Sequence, residues 1–352
     1  MEAEKFGAVV GIKSVCVYGG APKGPQIGAL TRGRPALVVG TPGRLNDLLA
    51  LSSPPVFDLK GCKYLVLDEA DRMLDMGFAP QIQTVVAQVG NPHQTLFFTA
   101  TWPKEVQTLA ASYLRKDAVR IFVGGADTKL VANKAVTQRF EQCASNADKQ
   151  AALKRILDAI GAEARAGREC KVVVFCNMKK DCEALLVEQR QQGRGVVAIH
   201  GDKEQWEREQ SLKSFTAGRT PILFATDVAA RGLDIKGVTH VVNYDMPLGD
   251  DGVESYVHRI GRTGRAGATG ESITLWKEAT DKKQAALLTQ LLTDAGQEVP
   301  DYIADVAARF RGGKGGKGRG GKGGKGKGGG KGKGGGKGKG GGKGGGWGSP
   351  RW

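Results

Sequence analysis

Short apolar runs rich in β-branched residues alternate with helical patterns through the first 310 residues, and this alternation constrains the fold most. In the first half the runs are SVCVYGG, PALVVGTPGR, CKYLVLDEAD, TLFFTAT and VRIFVGG. Near-continuous apolar strands that alternate with helices predict a parallel sheet covered by helices on both faces. Ligands of such sheets bind at the carboxyl ends of the strands, where most polar motifs of this chain fall.

The pattern restarts after a polar stretch near Ala126–Asn133. The later runs are AVTQRFEQCA, CKVVVFCN, GVVAIHG, TPILFATD and VTHVVNYD. A chain of 352 residues is long enough for two cores. The sequence therefore predicts an α/β protein with a first domain at 1–125, a linker at 126–133, a second domain at 134–305 and a tail at 306–352.

Positive charge is concentrated in the tail. The chain has 52 basic and 36 acidic residues, and 13 of the basic ones follow Phe310, where no acidic residue occurs. Residues 312–346 are Gly and Lys apart from Arg319, so this segment cannot bury a core and is predicted to be disordered. Its composition favours attraction to nucleic acid over membrane, and a solubilising tail without a bound partner is the alternative.

The cysteines and the hydropathy pattern predict an intracellular protein. The six cysteines contain no CxxC pair, and no His lies close to Cys170, Cys176 and Cys182. Reduced thiols are therefore favoured over a metal site. The N-terminus lacks a signal-peptide hydrophobic region, and no apolar run reaches the length of a membrane span, so no membrane partner is expected.

Three carboxylates cluster where the run YLVL ends, in the segment DEAD formed by Asp68, Glu69, Ala70 and Asp71. Nucleotide-hydrolysing folds place at such a strand end a carboxylate that holds Mg²⁺, usually through water, and a neighbouring Glu can polarise the attacking water. Acidic residues favoured by a helix dipole are the structural alternative for any one of them. The four residues together, followed by RMLDMGF, favour the catalytic interpretation.

Further segments join DEAD in a resemblance to the DEAD-box RNA helicases. In chain order they are GG at 19–20, TPGR at 41–44, TAT at 99–101, VVVFCN at 172–177, HGDKEQWER from His200, ATDVAARGLDI from Ala225 and HRIGRTGR at 258–265. The resemblance covers roughly Glu2–Phe310 and implies two RecA-like domains, with ATP and Mg²⁺ as cofactors and RNA as partner. VYGGAPKGPQI and TATWPKEV look closest to the nuclear RNA-processing branch.

The resemblance also implies roles at the nucleotide. Asp68 would hold Mg²⁺ through water, and Glu69 would orient and deprotonate the attacking water. Arg262 and Arg265 would stabilise the charge on the transferring γ-phosphoryl group, a task that suits guanidinium groups. Asp234 would bind a ribose hydroxyl, although a turn-forming Asp after Gly232 is an alternative. Asp71 and His258 would also lie at the nucleotide site. Thr99 and Thr101 would couple that site to RNA binding, and His258 and Arg259 would help couple the arginine loop to the acidic motif across the cleft.

The implied RNA contacts are distributed over both halves. They are Gly19, Gly20, Thr41, Gly43, Arg44, Gln205, Arg208 and Thr226. Glycines allow a backbone to approach closely, and hydroxyls and guanidinium groups suit phosphates. Such contacts grip ribose and phosphate, so RNA binding is expected to be independent of sequence. Strand-ending turns explain TPGR equally well, and Gln205 and Arg208 could be exposed helix residues.

One expected element does not occur in these 352 residues. The family's ATP site needs a glycine-rich loop with Lys and Thr, and the sequence contains no Gly-Lys-Ser or Gly-Lys-Thr. The glutamine-bearing adenine motif and PTREL are absent too, and EAEKFG at 2–7 resembles the helix that follows PTREL. We therefore expect an N-terminally truncated chain whose first domain has exposed strand edges and an uncovered apolar face.

Two functions compete on this sequence. The first is an ATP-dependent RNA helicase that couples ATP binding and hydrolysis to RNA binding and local unwinding. The alternative is a non-catalytic RNA-binding or annealing protein, and for the 352 residues alone we expect no RNA-stimulated ATP turnover. A purely structural scaffold explains neither the paired arginines nor the tail. The basic tail and the branch resemblance favour the nucleus.

Overall fold

A computed structural model of the chain describes residues 2–51, 56–122, 130–230, 235–265 and 267–312. Every strand pair within these ranges is parallel, which confirms the predicted α/β class. None of the helices in these ranges is long and apolar enough to cross a membrane. The tail beyond Gly312 and the candidate residue Asp234 lie outside the described residues.

Four short strands in the first half form two separate pairs rather than one sheet. The strands are β1 (Ser14–Val17), β2 (Leu37–Gly40), β3 (Tyr64–Leu67) and β4 (Gln94–Phe97), with β1 paired to β2 and β3 to β4. The helices are α1 (Glu2–Val9), α2 (Lys23–Gly33), α3 (Pro42–Leu49), α4 (Ala70–Asp75), α5 (Ala79–Val86) and α6 (Lys104–Tyr113). A small core of Val17, Leu30 and Leu48 packs beside the first pair.

The other face of these strands is open to solvent. Val39 on β2 is 48% exposed, and Val66 and Tyr64 on β3 are 51% and 67% exposed. Because both sheets have only two strands, each strand also has a free edge. The expectation of exposed edges and an uncovered apolar face therefore matches this half, and the expectation of one sheet covered on both faces is wrong for it.

The fifth expected strand of the first half, VRIFVGG, does not form in the part that the structure describes. Residues 119–122 have no regular secondary structure, and residues 123–125 lie outside the described ranges. Val119 and Ile121 are 86% and 79% exposed. An apolar run forms a strand only where a neighbouring strand and a packing layer are available, and neither pair extends to this segment.

The second half is a six-stranded parallel sheet in the order β5-β10-β9-β6-β8-β7. Its strands are β5 (Val136–Gln142), β6 (Val172–Phe175), β7 (Val196–Ile199), β8 (Ile222–Ala225), β9 (His240–Asn243) and β10 (Gly270–Trp276). Its helices are α7 (Asn146–Arg165), α8 (Lys179–Gln191), α9 (Gln205–Thr216), α10 (Asp227–Ala230), α11 (Gly252–Ile260), α12 (Glu278–Asp281), α13 (Ala285–Asp294) and α14 (Asp301–Gly312). The five strands expected from the sequence are all present, and β10 is an additional strand between β5 and β9.

Helices cover both faces of this sheet. Val172 and Val174 on β6 belong to one apolar cluster, and the intervening Val173 and Phe175 belong to another on the opposite face. Alternate side chains of a strand point to opposite faces, so burial of all four requires a helix layer on each side. The prediction of a doubly covered parallel sheet is confirmed for this half.

A third apolar cluster extends the second half beyond its predicted end at residue 305. Helix α14 continues to Gly312, and it buries Val306 and Ala307 in the cluster that also contains Tyr256 and Trp276. The predicted boundary at residue 305 places Val306 and Ala307 in the tail. Their apolar spacing belongs to the last turns of a packed helix instead.

Candidate functional site

The DEAD segment begins at the carboxyl end of β3, as the sequence predicts. Asp68 and Glu69 are both exposed, and the Asp68 Oδ1 atom accepts a hydrogen bond of 3.0 Å from the Glu69 backbone N–H. Glu69 adopts φ 49° and ψ 49°, a left-handed conformation that is uncommon for a residue with a side chain. Strain of this kind persists where the surrounding fold imposes it, and it is concentrated at functional sites.

Asp71 differs from its two acidic neighbours because it is buried and fully engaged. Its Oδ2 atom accepts hydrogen bonds from the Thr101 backbone N–H at 3.1 Å and from the Thr101 hydroxyl at 2.9 Å. The Thr99 hydroxyl in turn donates to the Thr101 carbonyl at 2.9 Å. The TAT segment is therefore tied directly to the acidic segment, with Thr101 as the residue that contacts it.

The structure brings the acidic segment of the first half against α11 of the second half. Ligand atoms of Asp71, Glu254 and His258 all lie within 4.8 Å of one another. The His258 Nε2 atom is 3.9 Å from a Glu254 carboxylate oxygen. Beside this cluster, the Nη1 atom of the buried Arg72 lies 4.0 Å from the Oδ2 atom of Asp251, which precedes α11. The two halves thus meet at two of the segments that carry the predicted chemistry.

Arg259 is held entirely within the second half. Its side chain is 1% exposed, and its guanidinium group donates to both Asp227 carboxylate oxygens at 2.6 and 2.7 Å. It also donates to the Asn177 side chain at 2.7 Å and to the Asp245 carbonyl at 2.5 Å. These bonds join α11 to the ends of β6, β8 and β9, so Arg259 fixes the helix that presents His258.

Arg262 and Arg265 follow the C-terminal end of α11. Arg262 is half-buried, its Nε donates to the His258 carbonyl at 3.2 Å, and it lines a cleft together with Arg72. Arg265 is exposed, and its Nε donates to the Gly261 carbonyl at 2.6 Å. Both backbone bonds stabilise the turn after the helix. Their predicted role at the γ-phosphoryl group stays a prediction.

The first-half residues predicted to bind RNA form one connected loop region. Gly20 has φ 77°, a conformation that favours glycine, and Thr41 precedes the first residue of α3. Arg44 is buried, and both its Nη1 and its Nη2 donate to the Ala21 carbonyl, at 3.1 and 3.0 Å. Arg44 therefore holds the Gly19–Gly20 loop in place. Its predicted phosphate contact stays a prediction.

The second-half residues predicted to bind RNA lie at the start of α9 and the end of β8. Gln205 is the first residue of α9, and its Oε1 accepts a hydrogen bond of 3.1 Å from Arg208. Thr226 is buried directly after β8, and its carbonyl accepts the backbone N–H groups of Ala229 and Ala230 in α10. The structure brings Gln205 together with the Gly19–Gly20 loop.

A direct contact between the halves joins these two RNA-binding candidates. The Tyr18 hydroxyl donates to Glu209 at 3.0 Å, and the Gln205 side chain donates to the same carboxylate at 3.2 Å. A Cβ atom placed on Gly20 would lie 3.2 Å from the Gln205 Cβ, so glycine permits this close approach. The hydrogen bond to Glu209, followed by partial burial, raises the pKa of Tyr18.

Family models match both halves of the chain. Residues 1–109 match the model of the DEAD/DEAH box helicases, and residues 148–267 match that of the helicase conserved C-terminal domain. The chain belongs to the DEAD-box helicase family. It is 49% identical over 312 residues to DEAD-box ATP-dependent RNA helicase 14 of Arabidopsis thaliana, covering 89% of this chain and 48% of that protein. It is 50% identical over 316 residues to DEAD-box ATP-dependent RNA helicase 40 of Oryza sativa subsp. japonica, covering 90% of this chain and 37% of that one.

The fold is similar to that of two proteins solved with bound RNA. Dbp5 of S. cerevisiae bound to RNA and ADP BeF3 matches with a TM-score of 0.70 and 28% identity, covering 86% of this chain and 76% of that one. Mss116p bound to ssRNA and AMP-PNP matches with a TM-score of 0.70 and 25% identity, and the match covers 88% of this chain and 63% of that one. The two parallel-sheet halves are therefore RecA-like domains. The chain spans at most about half the length of the Arabidopsis and rice relatives.

The donor set of this DEAD-box chain is compatible with Mg²⁺ next to β3. Mg²⁺ prefers oxygen ligands and keeps several waters, and the exposed carboxylates of Asp68 and Glu69 supply oxygens at the sheet edge. The cluster of Asp71, Glu254 and His258 includes an imidazole, which suits Mg²⁺ less well. Asp68 therefore remains the candidate metal residue, and its role through water stays a prediction.

Sequence reasoning did not find Tyr18, Glu209 or Asp251. Tyr18 lies within the quoted run VYGG and Glu209 follows Arg208 directly, so both are next to recognised motifs. Their contact joins residues 191 positions apart. Their position next to recognised motifs is the only sign in the sequence that they could be functional. Their hydrogen bond becomes evident only when the two halves are seen side by side in the structure.

Proposed function

We propose that this chain is the helicase region of an ATP-dependent RNA helicase that acts on RNA in the nucleus. Closure of the two RecA-like domains would couple ATP binding and hydrolysis to RNA binding and to local opening of short duplexes. The observation that carries the proposal is the meeting of Asp71 with Glu254 and His258 across the cleft. This arrangement brings the acidic segment of one domain to the arginine-bearing segment of the other, as hydrolysis between two domains requires.

The nucleotide chemistry is assigned to four residues. Asp68 would hold Mg²⁺ through water, and the ion would supply neutralisation of phosphate charge when bound. Glu69 would orient and deprotonate the attacking water. Arg262 and Arg265 would stabilise the charge that develops on the transferring γ-phosphoryl group. The hydrogen bonds of Asp71 to Thr101 support a coupling role for the TAT segment, because any shift of Thr101 would move the acidic segment.

The RNA site is assigned to the junction of the Gly19–Gly20 loop and α9. The contacts of Tyr18 and Gln205 with Glu209 support a continuous surface that extends over both domains. Arg44 would position the loop, and Arg208 would contribute positive charge to it. RNA gripped through ribose and phosphate on such a surface would be bound independently of sequence.

The proposed domain division keeps the boundaries predicted from the sequence, with one extension. It consists of a first domain at 1–125, a linker at 126–133 and a second domain from 134, whose end moves to 312 because α14 packs on its core. The basic tail that follows is assigned to diffuse attraction of RNA phosphates. The nuclear RNA-processing branch is supported by the segments VYGGAPKGPQI and TATWPKEV.

A non-catalytic RNA-binding or annealing function is the second candidate. It is favoured by one specific observation, the absence of Gly-Lys-Ser and Gly-Lys-Thr from the 352 residues. Without a phosphate-binding loop and its lysine, the β- and γ-phosphates of ATP would lose their main grip. The two candidates share the same RNA surface and differ only in nucleotide turnover.

The RNA surface is tested by single-stranded RNA binding to the full chain. Arg208→Gln is expected to weaken binding, because it removes a charge beside Gln205 at the junction of the domains. Arg190→Gln, which removes an exposed charge from the last turn of α8, is the matched control and is expected to have little effect. Equal affinities for wild type, Arg208→Gln and Arg190→Gln would overturn the assignment of the RNA site.

A further inference from the structure

Trp206 is an exposed aromatic residue next to the proposed RNA contacts. Its side chain is 66% exposed, whereas a tryptophan is highly buried on average. It directly follows Gln205 at the start of α9 and precedes Arg208 by two positions. Within the described ranges, the indole has no hydrogen bond, ring contact or cation over its face. Neither burial nor polar bonding among the described residues accounts for its position.

The helix geometry places Trp206 beside the junction of the two domains. Gln205 and Glu209 lie one turn apart on the helix face that meets Gly20 and Tyr18. Successive residues are rotated by about 100°, so Trp206 and Arg208 project on opposite sides of that face. The junction is therefore flanked by a guanidinium group on one side and by an indole on the other.

The burial of the other residues of α9 shows that Trp206 lies on the face of the helix that is open to solvent. Phe215 of the same helix is fully buried, and Leu212 packs against the same apolar cluster. Arg208 is half-buried and bonded to Gln205, whereas Trp206 is open to solvent. Trp206 is thus not a core residue, and its side chain is open to a ligand that lies along the junction.

We propose that Trp206 is a stacking platform for one nucleobase of RNA bound along the Gly19–Gly20 loop and α9. The inference rests on the proposed RNA-binding function and adds a base contact to a surface otherwise assigned to ribose and phosphate. An indole face stacks on any base, so it adds affinity without selecting a sequence. RNA is favoured over a protein partner because Trp206 flanks the same junction as Gln205 and Arg208, the two residues of α9 that are assigned to the RNA surface.

The test compares two single-stranded RNAs of equal length bound to the full chain. One is a short oligouridylate and the other is the same backbone without bases. Trp206→Ala is expected to bind the oligouridylate about 5- to 100-fold more weakly than wild type. Trp206→Phe is expected to retain most of the affinity, since a phenyl ring still stacks. Phosphate contacts, including those proposed for the basic tail, are common to both RNAs, so only a base contact changes the ratio of the two affinities.

The controls separate this inference from the function on which it rests. Leu287→Ala removes another exposed apolar side chain, on α13, and is expected to change neither affinity. On the abasic RNA, wild type and Trp206→Ala are expected to bind equally. Loss of oligouridylate affinity in Arg208→Gln but not in Trp206→Ala would overturn the stacking proposal alone. Unchanged affinity in both variants would overturn the RNA site on α9 together with it, and equal losses on both RNAs would also contradict stacking.

Discussion

At the scale of single residues, Arg259 of this DEAD-box chain is expected to contribute strongly to the stability of the second domain. Its buried guanidinium group satisfies Asp227, Asn177 and the Asp245 carbonyl at once. We expect Arg259→Gln to lower the free energy of unfolding by about 3 kcal/mol, because Asp227 would keep its charge and lose its partner. Urea denaturation of the full chain measures this change.

The matched control for Arg259 is an arginine in an exposed ion pair of the same domain. Arg155 is 68% exposed and pairs with Glu141 at 2.6 Å. Arg155→Gln is expected to cost less than about 1 kcal/mol, because water solvates both charges when the pair is broken. Equal losses for Arg259→Gln and Arg155→Gln would contradict the role given to burial.

Tyr18 provides the second prediction at this scale. Tyr18→Phe removes only the hydroxyl that donates to Glu209, and we expect single-stranded RNA to bind roughly three- to ten-fold more weakly. The reason is that the Gly19–Gly20 loop and α9 would no longer be held together at the proposed RNA surface. Tyr64→Phe, at a 67% exposed tyrosine of the same domain, is the control and should leave the affinity unchanged. A loss of equal size in both variants would argue against the contact.

The sequence predicts where a functional residue lies in the fold when that residue directly follows a strand. Asp68, Glu69 and Asp71 lie at the end of β3 as expected, because an apolar run fixes where the strand stops. The burial of Asp71 and the strain at Glu69 could not be predicted, since they depend on Thr101 and on the turn into α4. The pairing of Tyr18 with Glu209 depends on the approach of two domains and has no local signal.

At the scale of the elements, the N-terminal end of α7 is stabilised by a capping box formed by Ser145 and Asp148. Ser145 accepts a hydrogen bond from the Asp148 backbone, and the Asp148 carboxylate accepts the Ser145 backbone N–H at 2.8 Å. These bonds, chiefly that from the Ser145 backbone, lower the pKa of Asp148. A carboxyl group with a lowered pKa in the folded state stabilises the fold above its unfolded pKa of about 4, and this contribution is lost as the pH falls.

Asp148→Asn tests that contribution. We expect the wild type to be more stable than the variant at neutral pH, and the difference to shrink as the pH falls below about 4. Chemical denaturation across this pH range measures the difference. Asp305→Asn, at an exposed carboxylate on α14, is the control and should give a small difference at every pH. A difference for Asp148→Asn that does not change with pH would contradict the cap.

The strands themselves show where sequence patterns are sufficient. Five second-half strands form as predicted, because each pairs with one or two parallel neighbours in a six-stranded sheet that helices cover on both faces. In the first half, the run at 119–122 is equally apolar but remains exposed without a partner strand. Strand β10 was overlooked because Ser272 and Thr274 interrupt its apolar pattern, although both are buried within the sheet. Apolar runs therefore predict strands only where the sheet supplies neighbours.

At the scale of the whole molecule, the basic tail accounts for most of the net charge. Residues 1–310 have 39 basic and 36 acidic residues, so the tail supplies 13 of the 16 net positive charges. We expect deletion of residues 312–352 to weaken RNA binding and to flatten its dependence on salt. Each lost phosphate contact should reduce the slope of log affinity against log salt by roughly 0.7 for single strands. A neutral Gly/Ser tail of equal length is the control, and an unchanged slope would exclude an electrostatic role.

The central claim is that the two domains form one ATPase site in which Glu69 activates water. We would join a segment that carries a GxxxxGK[ST] phosphate-binding loop from a DEAD-box helicase to the N-terminus of this chain, and measure RNA-stimulated ATP hydrolysis. The chimera is expected to hydrolyse ATP, Glu69→Gln is expected to abolish turnover while RNA binding persists, and the 352-residue chain alone is expected to show none. A folded chimera that binds RNA without hydrolysing ATP, or turnover that survives Glu69→Gln, would contradict the claim.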